Sequence, residues 1–398
     1  MRSFMCVQSR YGNSLSRGAL TLALLGLPGL VAAQTVPLET IVVNAKTQAN
    51  DSAGSTPLDA VQPASVISAD FIAKNLAPSG NYDEAIKFSP SVFDTAPNGP
   101  GLAESQNIAI RGFQDGQFNV TFDGIPWGDS NDFTHHTTSY FMAHDLGQIT
   151  VDRGPGTAAT IGEATFGGTV YILSKAPDEH FSLNPYISYG SFNTFNAGVE
   201  LDSGAMTPSG TRLMIDGEFL TSDGYLTNEG LRRQNIYGKL VQPIGSAFTL
   251  TVAGMYNHLH QNISLGATSQ EIQTLGHNWG LSTDPTQQNY YGYNADFIKT
   301  DFEYADLAGK FGSGWTLDMK VYSYSYNHTG LNGEDPNGYY PNLVVLAPGG
   351  TQVAGVPGQE LTMKYRSIGT IARLTKDLPF GDIQTGLWYD HQVNRRRL

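Results

Sequence analysis

Residues 127–140 gather the side chains best suited to metal chemistry: Asp129, Asp132, Phe133, His135 and His136, with His144 close behind. Imidazole and carboxylate together suit a transition-metal ion. On a strand, however, His135 and His136 would point to opposite faces, and only a loop could bring both to one ion. Direct ligation therefore ranks below ordinary loop polarity, and no metal site is assigned. A second constellation, Gly154-Pro155-Gly156-Thr157-Ala158-Ala159, fits the G-x-G-x-x-A spacing of a dinucleotide cradle, with Asp178 placed for a ribose contact. The helix that must follow is interrupted early by Gly167-Gly168, which argues against that reading. No H-E-x-x-H, G-x-S-x-G or Walker A spacing occurs. No catalytic residue and no cofactor are assigned, and no enzyme activity is expected.

The N-terminus sets the compartment in which these residues must work. Arg2, Arg10 and Arg17 precede an apolar run over residues 19–25 that continues to Val31, and Ala32-Ala33 then offer a cut before Gln34. This is the layout of a secretory signal peptide, with an apolar core too short to span a bilayer. The one cysteine, Cys6, would leave with it, so the mature chain has no disulfide and no thiolate chemistry. A net charge of −13 without a basic stripe argues against nucleic acid as a partner. Beyond Gln34 no run approaches the roughly 20 apolar residues of a spanning helix. The 45 Gly, 20 Tyr and 19 Phe suit many strands and turns instead.

Four segments follow from the patterning. Residues 1–33 are the signal. Residues 34–59 hold a β-prone island, Ile41-Val42-Val43, and a small, polar, aperiodic tether over residues 46–59. The island reads equally as a strand for another sheet edge and as the first strand of the next domain. Residues 60–177 read as a compact α/β unit. Strands are expected at residues 64–67, 108–111, 120–122, 149–151 and 170–173, and helical segments at 70–76 and 81–88, the latter with Asn81 as N-cap. Asp123-Gly124 supplies a tight turn. From residue 178 the texture becomes alternation. Leu213, Ile215 and Phe219 oppose Arg212, Asp216 and Glu218, and Trp315, Leu317, Met319 and Val321 oppose Thr316, Asp318 and Lys320. Connectors alternate short and long, as periplasmic turns and extracellular loops do, and about nine strands of spanning length are expected. Nine are too few to enclose a domain of this size, so a truncated or partial chain is expected.

These residues resemble the TonB-dependent outer-membrane receptor family. Residues 38–45, including Glu39, Thr40, Ile41, Val42 and Val43, look like its TonB box. Residues 64–71, Ile108-Ala109-Ile110-Arg111-Gly112-Phe113, Phe122-Asp123-Gly124-Ile125-Pro126, Arg153-Gly154-Pro155 through Gly162, Gly167-Gly168-Thr169-Val170 and Ser174-Lys175-Ala176-Pro177 resemble successive plug motifs. Six in order after a signal peptide make a specific pattern. Thr160-Ile161 and Ser89-Pro90-Ser91-Val92 depart from the usual forms.

The resemblance implies an α/β plug domain inside an all-β antiparallel transmembrane barrel of the Gram-negative outer membrane. Its partners would be TonB in the periplasm and the outer-membrane lipid. The cargo would be a ferric siderophore or similar metal chelate, with iron entering only as part of it. A cobalamin, another metal complex or an oligosaccharide is the alternative, and a passive porin or adhesin a weaker one. Arg111 and Arg153 would pair with barrel carboxylates, since a buried guanidinium needs such partners. Ligand contact would fall to Phe113, Gln114, Asp115, Gln117, Asp132, Phe133, His135 and His136 on the plug, and to loop aromatics such as Trp279, Tyr290, Tyr291, Tyr293, Tyr339 and Tyr340. Aromatics of a barrel serve more often as an interfacial girdle than as a binding site.

Overall fold

The computed structural model describes residues 62–103, 108–264, 266–334 and 356–398, with the backbone of three further strands at 2–8, 346–347 and 351–352. The signal's apolar core, the TonB-box segment, the tether, Tyr339 and Tyr340 lie outside the described residues. Strand β1 (Arg2–Gln8) pairs along the last strand of the chain.

The N-terminal domain begins with β2 (Ala64–Ser68), which runs directly into α1 (Ala69–Asn75). Ser68 caps this helix by accepting from the Phe71 amide at 3.1 Å, and Phe71 and Ile72 are buried. The next helix, α2 (Tyr82–Ile86), is shorter than residues 81–88: the Phe88 and Ser89 amides donate three residues back, to the Ala85 and Ile86 carbonyls, and the chain tightens into a turn. Asn81 sits at the N-cap position but makes no capping bond. It lies fully buried, bridged to Met142 instead.

Three short strands, β3 (Val92–Phe93), β4 (Ala109–Ile110) and β5 (Phe113–Gln114), form a small sheet. The main sheet contains β6 (Asn119–Phe122), β7 (Ile125–Pro126), β8 (Leu146–Asp152) and β9 (Thr169–Ser174) in the order β2-β8-β9-β6-β7. All its pairs are antiparallel except β6 with β9. Asp123 and Gly124, with φ of 48° and 80°, close the β6–β7 hairpin as expected. Ile67, Val120, Ile149, Val151, Val170 and Ile172 fill the core.

The second part is a wall of consecutive antiparallel strands. These are β10 (Phe181–Tyr189), β11 (Phe195–Ser203), β12 (Arg212–Ser222), β13 (Leu231–Ile244), β14 (Phe248–Asn262), β15 (Ala295–Phe311) and β16 (Trp315–Gly333). After β17 (Leu346–Ala347) and β18 (Thr351–Gln352), which pair with each other, come β19 (Gly358–Leu378) and β20 (Gly381–Arg397). Nine strands from residue 181 thus form one sheet, in chain order, with β1 added at its edge. A seven-residue helix, α3 (Ser269–Leu275), stands in the long β14–β15 loop behind a capping box of Thr268 and Glu271.

Alternation along these strands separates two environments. Val199, Ile215, Ile236, Val252, Met319, Val321 and Ile368 are exposed on the outer face. Their neighbours Asn196, Glu200, Asp216, Glu218, Asn235 and Lys320 are buried on the inner face, against the N-terminal domain. A water-soluble body would turn its apolar face inward, whereas this wall turns it outward, as a barrel in lipid does. Phe248 stacks on Phe311 at the short-turn end, with Trp315 beside them in register. Tyr256 stands exposed higher up, in the row of Ile236 at the far end of the apolar band.

Candidate functional site

Beyond β7 the chain leaves the sheet as a loop, residues 127–140, pressed against the wall. Trp127 is almost fully buried and meets Tyr82 and His135 edge-on at 6.3 and 5.1 Å. The His135 ring stacks on Phe118 at 5.7 Å, its Nδ1 lies 2.5 Å from Asp115 Oδ1, and its amide donates to Asp115 Oδ2 at 2.9 Å. Burial would favour the neutral acid, but the imidazole and the amides of His135 and Gly116 outweigh it and hold Asp115 below the usual carboxylate range. His136 turns the other way, with φ of 49°, and stacks on Tyr326 of β16 at 4.0 Å. The two histidines serve different neighbours. Among the described residues no group of three or more His, Cys, Asp or Glu is placed to hold a metal ion.

Between this loop and strands β16 and β20 lies a cavity of about 310 Å³. Phe118, Trp127, Phe133, His135, Tyr324 and Trp388 give it aromatic surface, while Asp129, Glu163, Asp390 and Gln392 give it polar groups. The Trp127 indole N–H has no acceptor among the described residues. Asp129 is fully buried and is held by Arg396 at 2.5 Å and Asn394 at 2.6 Å. Gln392 donates to the Gly128 carbonyl at 3.0 Å and accepts from the Ser130 amide at 2.6 Å. Such a chamber offers stacking faces and hydrogen-bond groups to a bulky, oxygen-rich ligand.

The domain and the wall are joined by aromatic packing, Phe122 and Phe141 meeting Phe302 at 5.6 and 5.4 Å, and by polar contacts. Asp123 accepts from the Ser174 amide and hydroxyl at 2.9 and 2.6 Å and from the Tyr304 hydroxyl at 2.5 Å, with Lys239 Nζ 3.7 Å away. Arg233 on β13 is fully buried, pairs with Glu218 at 3.1 Å and donates to the carbonyls of Ser79 and Gly101 at 3.3 and 3.4 Å. The Ser139 carbonyl accepts from Asn257 at 3.0 Å and from the Thr300 hydroxyl, and Tyr140 donates to the Ser325 carbonyl at 3.0 Å. Asp145 is buried, with both carboxyl oxygens lacking a donor among the described residues. Burial, then the carboxylates of Asp216, Glu218 and Glu200, raise its pKa well above the usual range. Its surroundings thus favour the neutral form.

The residues singled out from sequence are distributed unevenly around this site. Phe133 and His135 line the cavity, Asp115 backs His135, and Asp132 accepts from Arg396 at 3.3 Å. Phe113, Gln114 and Gln117 lie outside its lining, with Phe113 edge-on to Phe166 at 5.8 Å. Tyr290 and Tyr291 cluster with Tyr293 in the β14–β15 loop, away from the cavity. Arg111 donates to the Arg153 carbonyl, and Arg153 to the Ser65 hydroxyl at 2.6 Å. Neither makes an ion pair among the described residues.

Gly154, Pro155, Gly162 and Gly167 form turns rather than a nucleotide cradle, because only a 3-10 turn (Thr165–Gly167) follows them. Gly168 has φ of 120°, and a Cβ there would lie 2.5 Å from the Asp152 carbonyl oxygen. Sequence reasoning placed Trp127 only as the start of the loop 127–140 and missed Tyr324, Trp388, Arg396 and Arg233. The alternation of β16 puts Tyr324 in phase with Lys320 on the inner face, which is the signal that could have found it.

Residues 56–169 match the family model described as TonB-dependent Receptor Plug Domain. A comparison with curated proteins finds no match. Among solved structures, the ferripyoverdine receptor of the outer membrane of Pseudomonas aeruginosa, bound to ferripyoverdine, is similar at 18% identity and a TM-score of 0.64, over 86% of this chain and 44% of that one. The ferric citrate transporter FecA in its unliganded form matches at 14% identity and 0.65, over 85% and 48%. The siderophore receptor PiuA from Acinetobacter baumannii matches at 15% and 0.62, over 87% and 49%. At these identities the likeness is one of fold, and the chain spans less than half the length of each of the three. The motif resemblance read from the sequence is borne out over residues 56–169, which carry a TonB-dependent receptor plug domain, and the plug with its antiparallel wall has the fold of the three receptors compared.

Proposed function

We propose that this chain supplies the plug and part of the barrel of an energised importer for a ferric siderophore or similar metal chelate. The observation that carries the reading is the chamber at Trp127 and His135, set between the plug loop and the wall. Its aromatic faces, the open indole N–H and the Gln392 amide suit a large, oxygen-rich chelate better than a bare ion. Iron enters this scheme only as cargo.

Binding in the chamber would bear at once on residues 127–135 and on β16 and β20, and so would bias the hydrogen bonds that hold the plug. Residues 38–45 would then add as a strand to a sheet edge of TonB, and the pull would part the polar plug–wall contacts one by one. No covalent step is required of the protein. Two measurements test the reading. A panel of ferric siderophores should quench the fluorescence of the receptor containing this chain, and Trp127→Phe should weaken that binding. Deleting residues 38–45 should abolish uptake while leaving binding intact; unchanged uptake would favour a passive pore. Absence of binding across the panel would move the cargo to another class.

A further inference from the structure

Asn98 of the plug completes a loop that belongs to the wall. It stands in the segment between β3 and β4 and is almost wholly buried. Its Oδ1 accepts from the Leu226 amide at 2.9 Å, and its Nδ2 donates to the Glu229 carbonyl at 2.8 Å. Its own carbonyl accepts from the Tyr225 amide at 3.1 Å. These partners all lie in the β12–β13 loop, on the long-loop side of the wall. Gly224, at φ of 74°, makes room for the plug, because a Cβ there would overlap Asn98 Oδ1.

On its other side the same loop holds the segment that follows α3. The Thr227 amide and hydroxyl both donate to the Asn278 carbonyl at 2.8 Å, and the Thr227 carbonyl accepts from the Leu281 amide at 2.7 Å. Asn228, at φ of 62°, donates to the Leu281 carbonyl at 2.7 Å, and Glu229 Oε1 accepts from the Ser264 amide at 3.1 Å. Leu281 is fully buried, and a Cβ on Gly280 would lie 2.8 Å from the Thr227 carbonyl oxygen. Residues 224–230 are thus a middle layer between the plug and the outer loop that carries α3.

Below Asn98 the connection runs into the body of the plug. The Ser79 hydroxyl donates to the Pro100 carbonyl at 2.7 Å, and the Gly80 carbonyl accepts from the Ala143 amide at 3.1 Å, just beyond the chamber loop. Each joint uses a backbone amide or carbonyl. Buried groups of that kind keep a partner, so a shift in one layer strains the next. The wall elements involved run from β12 to β15, inside the sheet rather than at either edge.

We propose that Asn98 is a positioning residue that couples the outer loop bearing α3 to the plug. The seated plug fixes that loop, and by reciprocity a shift of the loop loosens the plug around Ser79 and Gly80. The inference rests on the contacts between plug and loops and not on the cargo, so a failure of siderophore binding leaves it standing.

The test is amide exchange on the full chain in detergent, read by mass spectrometry at Gly80 in the plug and at Leu281 in the outer loop. Gly280→Ala wedges the outer loop off its neighbour and should speed exchange at Gly80 about fivefold. With Asn98→Ala already in place, the same substitution should change Gly80 by less than about 1.5-fold, because the joint is gone. In the reverse direction, Asn98→Ala alone should speed exchange at Leu281 about fivefold. Thr274→Ala, on an exposed position of α3, should leave Gly80 within about 1.5-fold of wild type. Should Asn98→Ala unfold the plug, seen as lost protection at Val151 and Ile172, Thr227→Val provides the second route. It removes the hydroxyl bond to Asn278, leaves Asn98 intact and should speed Gly80 about twofold. Independent, multiplying effects of Gly280→Ala and Asn98→Ala at Gly80 overturn the proposal, since a residue that merely fills its own pocket gives that result. So does Leu281 exchange unmoved by Asn98→Ala, or, on the second route, Gly80 exchange unmoved by Thr227→Val.

Discussion

Arg233 is the contact whose removal should be felt most. It leaves β13, reaches into the plug, pairs with Glu218 and donates to the Ser79 and Gly101 carbonyls, all out of reach of solvent. Arg233→Ala removes one member of a buried pair, which costs about 3–5 kcal/mol because the remaining charge stays desolvated. The two carbonyls lose a donor as well, at roughly 1 kcal/mol each, a cost that overlaps with the first because local relaxation admits water to all three groups. The damage should be confined to the plug segment around residues 79–102. Amide exchange in detergent reads this directly at Gly80 and Leu102, which donate to Ala77 and Gly99. A loss of 3 kcal/mol corresponds to about 100-fold faster exchange there, with β15 and β16 unchanged. Arg233→Met/Glu218→Gln, which removes both charges and keeps most of the volume, should recover the greater part. An exchange change below about threefold in Arg233→Ala, or a double variant as labile as the single one, would refute the reasoning.

Other perturbations follow from the same geometry. Burial, with Asp94 adding to it, pushes Asp83 up to about 8, so the native plug keeps a proton that the unfolded chain gives up near pH 4. That contribution is complete below about pH 4 and is lost as pH rises through about 8. Asp83→Asn should therefore flatten the plug's stability between pH 5 and 9 by at least about 2 kcal/mol in chemical denaturation, and a slope equal to wild type would count against the burial. Gly168→Ala forces a side chain into positive φ against the Asp152 carbonyl and should destabilise the plug by about 1–3 kcal/mol in thermal melts. Tyr304→Phe takes one donor from Asp123 while Ser174 and Lys239 remain, so it should loosen the plug by about 1 kcal/mol, far less than Arg233→Ala.

Much of the fold was legible because two signals carry it. Alternation fixed which face of β12 and β16 turns outward, since a lipid and a protein environment on opposite sides leave no ambiguity of phase. Positive φ demands explain why Asp123-Gly124 could be read as a hairpin turn from two letters. Strand length was less visible. Spanning needs about ten residues, yet β15, β16 and β19 run 17, 19 and 21. Above the apolar band both faces are polar, as at Lys299 outward and Thr300 inward, so the period disappears while the ladder continues. The site was harder still. Trp127, Tyr324 and Trp388 line one cavity only because the end of β7 lies against β16 and β20 in space, and nothing local in the chain couples positions so far apart. Arg233 was hidden by its neighbour Arg232, whose exposed side chain makes the pair read as a solvated turn end.

The order of strands has a temporal consequence. From β10 to β20 each wall strand bonds to the long strand before it, so the sheet can grow by hairpins, each new one templated on the last. The plug cannot grow that way, because β6 and β9 run parallel and roughly fifty residues of chain must loop back before the first of their bonds forms. Its contacts to Tyr304 and Arg233 must wait longer still, for strands made after it. The slowest ordering in this molecule should thus fall on the body that transport would later have to disturb.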